Sequence, residues 1–247
     1  MTNAHDRAKS GERDKAFYSA SVDYLSGDNI AEFRRHVEQV EVYVERILPR
    51  VAGLDAASGP LDILELGAGT CLTSLLVRKR LRRGRFLCAD ISLARMHALA
   101  TGVAELVGET AEGLSFLEHD FTFELPIAAA SVDLVVFDAA LHHSRNIWTT
   151  LRECHRVLRQ GGAVAALREA YLSPLTFRLA LDRLLKSPEV AAGAAENAYL
   201  RAQYDYYFRA TGFAPIFIPV FPSAKWRALA PFNGLVMSKF NIWACKR

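Results

Sequence analysis

"DILELGAGTCLTSLLVRK", residues 62–79, decides how the rest of this 247-residue chain is read. Ile63–Leu66 is an unbroken apolar run, the pattern of a parallel strand covered on both faces. It enters Gly67-Ala68-Gly69, and Leu72–Leu81 reads as a helix directly afterwards. A strand-to-helix turn with two glycines brings backbone N–H groups close to a ligand, beside the positive end of a helix. Which ligand stays open at this point. Leu72 stands where the G-x-G-x-x-G fingerprint of dinucleotide-binding turns has its third glycine.

Working outward, strands and helices alternate. Arg85–Ala89 reads as a second strand, Ser92 caps a helix running to Val107, Leu114–Glu118 is a third strand and Val132–Phe137 a fourth. A helix follows with Ile147, Leu151, Cys154 and Leu158 on one face, stopped by Gly161-Gly162, and Ala163–Leu167 makes a fifth strand. Upstream, Asn29 and Glu32 cap a helix whose apolar stripe runs Ile30, Phe33, Val37, Val40, Val44, Ile47 and Val51, with Gly53 to Pro60 as a turn-rich connector. Beyond Tyr171, Leu175–Leu185 and Glu196–Ala210 read as helices. Phe213–Val220 and Leu235–Ala244 pair as an antiparallel hairpin, whose Pro215 and Pro219 suit an edge. The order predicts an α/β, Rossmann-like doubly wound sheet of seven strands, mostly parallel, with an antiparallel C-terminal hairpin and a helical lid insertion. It divides into a flexible tail over 1–16 and one domain over 17–247. Within that domain are an N-terminal lid helix (17–52), a binding core (61–169), a helical lid (171–212) and the hairpin (213–247).

Composition narrows the function. Apolar residues are 51% and charged residues 23%, and the formal net charge is +3, too mild to argue for nucleic acid or a membrane surface. The basic run Arg78–Arg85 falls where a helix ends and complements its dipole. Four scattered cysteines without a C-x-x-C pair suit a reducing compartment, and no apolar run approaches the roughly 20 residues that span a bilayer. A cytoplasmic protein with no membrane span is expected.

Asp90 ends the second strand, 23 residues after Gly67, where a carboxylate accepts from ribose hydroxyls. Up to here a nicotinamide dinucleotide fits equally well. The stretches "DILELGAGT", "CADIS", "HDFTFELP", "SVDLVVFDAALHH" and "LRECHRVLRQGGAVAALRE" come in order, each at a strand end. Together they resemble the successive motifs of class I S-adenosylmethionine (SAM)-dependent methyltransferases, strongly over Leu61–Glu169 and loosely over Phe213–Arg247. The resemblance implies SAM as cofactor and S-adenosylhomocysteine (SAH) as product. It places Glu65 and the Gly67, Ala68, Gly69 and Thr70 backbone at the methionine portion and Asp90 at the ribose. Asp120 would accept from the adenine amino group, with Ile91 and Phe121 flanking the ring, while Asp138 and Ala139 line the floor near the sulfonium and Tyr18 adds a cofactor contact. Cys71 departs from the family, many of whose members carry glycine there.

Methyl transfer from a sulfonium is an in-line displacement for which alignment supplies most of the acceleration, and no metal is expected. A hydroxyl acceptor gains from losing its proton, and histidine suits that task. His142 and His143 follow the fourth strand, and Glu169 leaves the fifth next door, where it can orient one of them. The acceptor pocket is expected under a lid carrying Tyr24, Phe33, Tyr204 and Tyr207. A small-molecule acceptor is expected, with hydroxyl oxygen the leading choice and nitrogen or carbon, or a SAM-binding module without catalysis, as alternatives. A nucleic-acid methyltransferase is disfavoured because "FDAA" stands where an N-P-P-Y-type motif would be and no strongly basic face appears. The chain is read as a monomer or homodimer.

Overall fold

The computed structural model describes residues 12–16, 25, 29–81, 83–175, 177–220 and 239–247. Helix α1 (Asn29–Ser58) precedes strand β1 (Asp62–Leu66), and α2 (Leu72–Leu81) leads to β2 (Arg85–Asp90). Next come α3 (Leu93–Val107), β3 (Leu114–Glu118), β4 (Val132–Asp138), a 3₁₀ turn (Leu141–His143), α4 (Ile147–Val157) and β5 (Leu158–Leu172). After α5 (Phe177–Leu185), α6 (Pro188–Ala191), β6 (Tyr199–Leu200) and α7 (Arg201–Ala210), the sheet is finished by β7 (Phe213–Pro219) and β8 (Lys239–Lys246).

The sheet order is β3-β2-β1-β4-β5-β8-β7, with the two-residue β6 pairing the far end of β5. Strands β1 to β5 are parallel, while β8 runs antiparallel between β5 and β7. The chain winds outward from β1 through β2 and β3, then returns to β4 on the other side. The crevice at the carboxyl ends of β1 and β4 is therefore the switch point where such sheets bind ligands.

Period-two alternation splits the core between the two faces of the sheet. Ile63, Leu134 and Val136 join Val40, Val44, Ile47 and Leu75 in one buried cluster, which α1, α2 and α3 cover. Leu64, Leu66, Val135 and Phe137 join Leu151, Cys154, Tyr204 and Phe208 in the other, under α4 and α7. Ser92 caps α3 by accepting from the Arg95 N–H at 3.3 Å.

Four expectations change. Helix α1 continues through Pro49 and Gly53 to Ser58, because Val51 and Leu54 extend its apolar stripe onto the core. One apolar stripe of it packs on the core, and its first turns line the cleft through Asn29, Glu32, Phe33 and His36. Gly161-Gly162 does not stop α4, which ends at Val157. The pair lies inside β5, where the register with β4 shifts between Val132 and Leu134 and a Cβ on Gly162 would stand 2.8 Å from the Asp133 carbonyl. Residues 12–16 form a helical turn rather than tail, with Asp14 buried. Helix α7 starts at Arg201 and is core rather than lid, since Tyr204 and Phe208 are wholly buried.

Candidate functional site

The cofactor-type turn is built from local backbone geometry. Gly67 (φ +69°) and Gly69 (φ +51°) are left-handed, a conformation that costs a side-chain-bearing residue free energy. Cys71, where the family often has glycine, is also left-handed at φ +60°. The Gly67 and Ala68 N–H groups donate to the Ala89 carbonyl at 2.9 and 3.0 Å, tying the β1 turn to β2. Asp90 tightens the same junction, with one carboxylate oxygen accepting from the Gly69 N–H at 2.8 Å and the other from the Ser92 N–H at 2.9 Å. Each oxygen keeps a further lone pair for a ligand.

Glu65 lies at the base of the turn, 1% exposed, and accepts from the Ser74 N–H at 3.0 Å. Burial, helped by the nearby Asp138 and Asp90 charges, pushes its carboxyl up to about 8. It therefore favours its protonated form at neutral pH. Across the crevice, one oxygen of Asp120 accepts from the Thr122 N–H (3.0 Å) and hydroxyl (2.6 Å). The other, Oδ2, is buried without a hydrogen bond among the described residues, with Arg145 Nη1 3.7 Å away. Phe121 packs edge-on against Phe137 at 5.6 Å.

These groups line one cleft of about 790 Å³. Glu65, Gly67, Ala68, Gly69 and Thr70 come from the first strand end, and Asp90 and Ile91 from the second. Asp120 and Phe121 follow the third, Asp138 and Ala139 the fourth, and Phe33 enters from α1. Tyr18 and Tyr24 lie outside the described residues. Tyr204 and Tyr207 are not among the lining residues: Tyr204 is buried behind the sheet and Tyr207 stacks edge-on against Tyr199 at 5.8 Å.

Beside the cleft, Ala139 (φ +47°) donates its N–H to the Leu167 carbonyl at 2.8 Å and turns the chain into Leu141–His143. Glu169 organises that turn from underneath. Wholly buried, it accepts from the Ala140 and Leu141 N–H groups at 3.2 and 3.0 Å through one oxygen. The other accepts from the Tyr204 hydroxyl at 3.2 Å and lies 2.8 Å from His142 Nδ1. Burial works against ionising Glu169, yet His142 and the turn's N–H groups outweigh it and hold the carboxyl below its ordinary value. An ionised Glu169 fixes the proton of His142 on Nδ1.

His143 does line the cleft, and its carboxylate is a different one. Its Nδ1 lies 2.9 Å from the Ala195 carbonyl and 2.8 Å from Glu196 Oε2. Burial alone would depress the His143 pKa; Glu196, the Ala195 carbonyl and Glu169 outweigh it, and the pKa is raised. Donor atoms of His142, His143 and Glu196 gather within 4.8 Å of one another. The stretch 195–197 is locked onto the turn by Asn197, whose side-chain amide donates to the carbonyls of His142 (3.0 Å) and Ser144 (2.9 Å).

Sequence reasoning missed Glu196 and Asn197 as site residues: it placed them at the start of a helix, whereas they fall in the irregular segment before it. It also missed Arg168, whose guanidinium grips Asp138 through Nε (2.6 Å) and Nη2 (3.0 Å). Arg168 is left-handed (φ +55°) at a register shift between β5 and β8, where the Asn241 side-chain oxygen accepts from its N–H at 3.2 Å. That irregularity lets consecutive residues serve two places, Arg168 in the cleft and Glu169 under the histidine turn.

Comparison with known proteins agrees with this architecture. Residues 64–166 match the family model described as a methyltransferase domain. Malonyl-(acyl-carrier protein) O-methyltransferase 1 of Coxiella burnetii is 28% identical over 148 residues, 60% of this chain and 44% of that protein. The chain thus spans under half the length of that curated relative. A SAM-dependent methyltransferase from Mesorhizobium loti shares the fold with a TM-score of 0.58 at 18% identity, covering 82% of this chain and 98% of that one. The trans-methyltransferase CalH, solved with SAH, superposes with a TM-score of 0.60 at 18% identity, covering 92% and 62%. With its switch-point cleft, its ordered strand-end motifs and this match, residues 64–166 carry a methyltransferase domain, in a chain whose fold is that of class I SAM-dependent methyltransferases.

Proposed function

We propose that the cleft holds SAM and that the chain methylates a hydroxyl oxygen of a small molecule. The residues suit the cofactor: a buried Asp120 oxygen that accepts no hydrogen bond among the described residues, spare lone pairs on Asp90, a proton-holding Glu65 and a left-handed glycine turn. Asp120 Oδ2 takes the adenine amino group between Ile91 and Phe121, and Asp90 takes the ribose hydroxyls. Glu65 gives up its proton to meet the ammonium group, and Asp138 and Ala139 lie toward the sulfonium. When bound, SAM supplies a methyl group on a cationic sulfur, ready for in-line displacement.

The observation that carries the acceptor chemistry is the histidine pair beside the cleft: His142 Nδ1 lies 2.8 Å from Glu169, while His143 Nδ1 faces the Ala195 carbonyl at 2.9 Å with Glu196 Oε2 2.8 Å away. His143 receives the acceptor's proton, and Glu196 and the Ala195 carbonyl stabilise the imidazolium. His142, clamped by Glu169, fixes the turn that presents His143. The likeness to an O-methyltransferase supports oxygen as the acceptor atom. The test follows SAH release across a panel of hydroxyl and carboxylate acceptors. His143→Ala should cut turnover on hydroxyls by roughly 100-fold or more, the usual size of a lost general base, with SAH affinity unchanged. Carboxylate acceptors, already ionised, should lose far less. Full rates from His142→Ala and His143→Ala across pH 6–9 would reject the base.

A further inference from the structure

The segment 12–16 was expected to be tail, yet Asp14 is 7% exposed and lines the cofactor cleft. Its two oxygens have separate partners. Oδ1 accepts from the Ala195 N–H at 3.2 Å, on the segment that carries Glu196. Oδ2 is bonded to Arg145 Nη2. Arg145 directly follows the histidine turn and faces a second carboxylate: its Nη1 is 3.7 Å from Asp120 Oδ2.

At 3.7 Å that contact is an ion pair but not a hydrogen bond. Both sides of the gap are unsatisfied, since Arg145 Nε and Nη1 and Asp120 Oδ2 are buried without hydrogen bonds among the described residues. A buried guanidinium with two idle donors beside an idle carboxylate oxygen would close a gap of under 1 Å unless something held it back. Asp14 is the group on its other side. We propose that Asp14 is a positioning residue for cofactor binding: by gripping Arg145 it keeps the guanidinium off Asp120 Oδ2 and leaves that oxygen available for the adenine amino group. This rests on the reading of Asp120 as the adenine acceptor.

The arrangement predicts an unusual mutational pattern, because removing a carboxylate that acts through Arg145 should weaken binding by releasing a competitor. Asp14→Asn is the instructive change. It keeps an oxygen for the Ala195 N–H and removes the charge that holds Arg145.

The experiment is calorimetric titration of SAH, and of its inosine analogue, which carries an oxo group in place of the adenine amino group. The proteins are wild type, Asp14→Asn, Arg145→Met and the double variant, each checked by thermal melting for a native fold. Asp14→Asn should weaken SAH on the order of tenfold or more, the loss associated with one hydrogen bond to a charged group. The inosine analogue, which has no amino group to offer Asp120, should respond within about twofold, the scatter of single-site effects outside a contact. Arg145→Met in the Asp14→Asn background should restore SAH binding to near the wild-type value. Unchanged SAH affinity in Asp14→Asn, or a double variant as weak as the single one, overturns the proposal. Failure of wild type to prefer SAH over the inosine analogue instead rejects Asp120 as adenine acceptor.

Discussion

An alanine at Gly67 would carry a Cβ 2.8 Å from the Ala140 Cβ and 3.2 Å from Phe121 Cε1. Two costs add. The left-handed backbone at φ +69° penalises any Cβ by about 1–2 kcal/mol, and forcing the β1 turn away from the histidine-bearing loop adds about 1–3 kcal/mol of overpacking. Gly67→Ala should therefore lose about 2–5 kcal/mol of stability. Bulk here strains the fold itself as well as excluding a ligand. Gly69→Ala is the matched control, because its Cβ would meet only the Arg95 guanidinium, at 3.6 and 3.7 Å, which is ordinary contact. Its loss should be the backbone part alone, about 1–2 kcal/mol. Urea denaturation of both variants, fitted with a common m-value, separates the costs. Equal losses in the two would refute the steric argument, and a Gly67→Ala loss below about 1 kcal/mol would refute the strain argument too.

Other expectations follow from the buried polar groups. Glu65, raised to about 8 from an ordinary 4.5, holds a proton when folded that the unfolded chain releases. Its contribution to stability is full below about pH 4.5, falls as pH climbs toward 8 and is flat above; Glu65→Gln should remove that slope from urea midpoints measured at pH 5, 7 and 9. Glu196→Gln should lower the raised His143 pKa, so the rising limb of the pH–rate profile moves to lower pH; an unmoved limb would detach Glu196 from His143. Tyr204→Phe removes one hydrogen bond to buried Glu169 and should cost about 1 kcal/mol, while Tyr204→Ala should cost about 3–5 kcal/mol in thermal or chemical unfolding. Neither change should alter SAH affinity, whereas a lid tyrosine would have altered acceptor KM without loss of stability.

The parts legible in the sequence share a physical cause. β1, β4 and β5 are buried on both faces, so they read as apolar runs, and the ends of the strands can be located from them. Asp90 was legible as the end of β2, Asp120 and Asp138 came through the family resemblance, and Glu169 could be expected beside the histidines: in the β4–β5 register Asp138 pairs with Leu167, which sets residues 142 and 169 at one end of the sheet. What was illegible comes from chain without period. Glu196, Asn197 and Asp14 act through contacts far apart in sequence, from segments with no stripe to read. The spacing of Tyr204 and Tyr207 gave a shared helical face but not its direction, and burial in the second apolar cluster turned Tyr204 toward the core. Arg168 escaped because its direction depends on a strand irregularity set by Asn241, 73 residues later.

The most direct test of the central claim is calorimetric titration of SAH into the wild-type protein, with NADH titrated in parallel. A cleft built by Glu65, the Gly67–Thr70 turn, Asp90 and Asp120 predicts one SAH bound per chain, with no heat from NADH. No binding of SAH by the folded protein, or tighter binding of NADH, would contradict it.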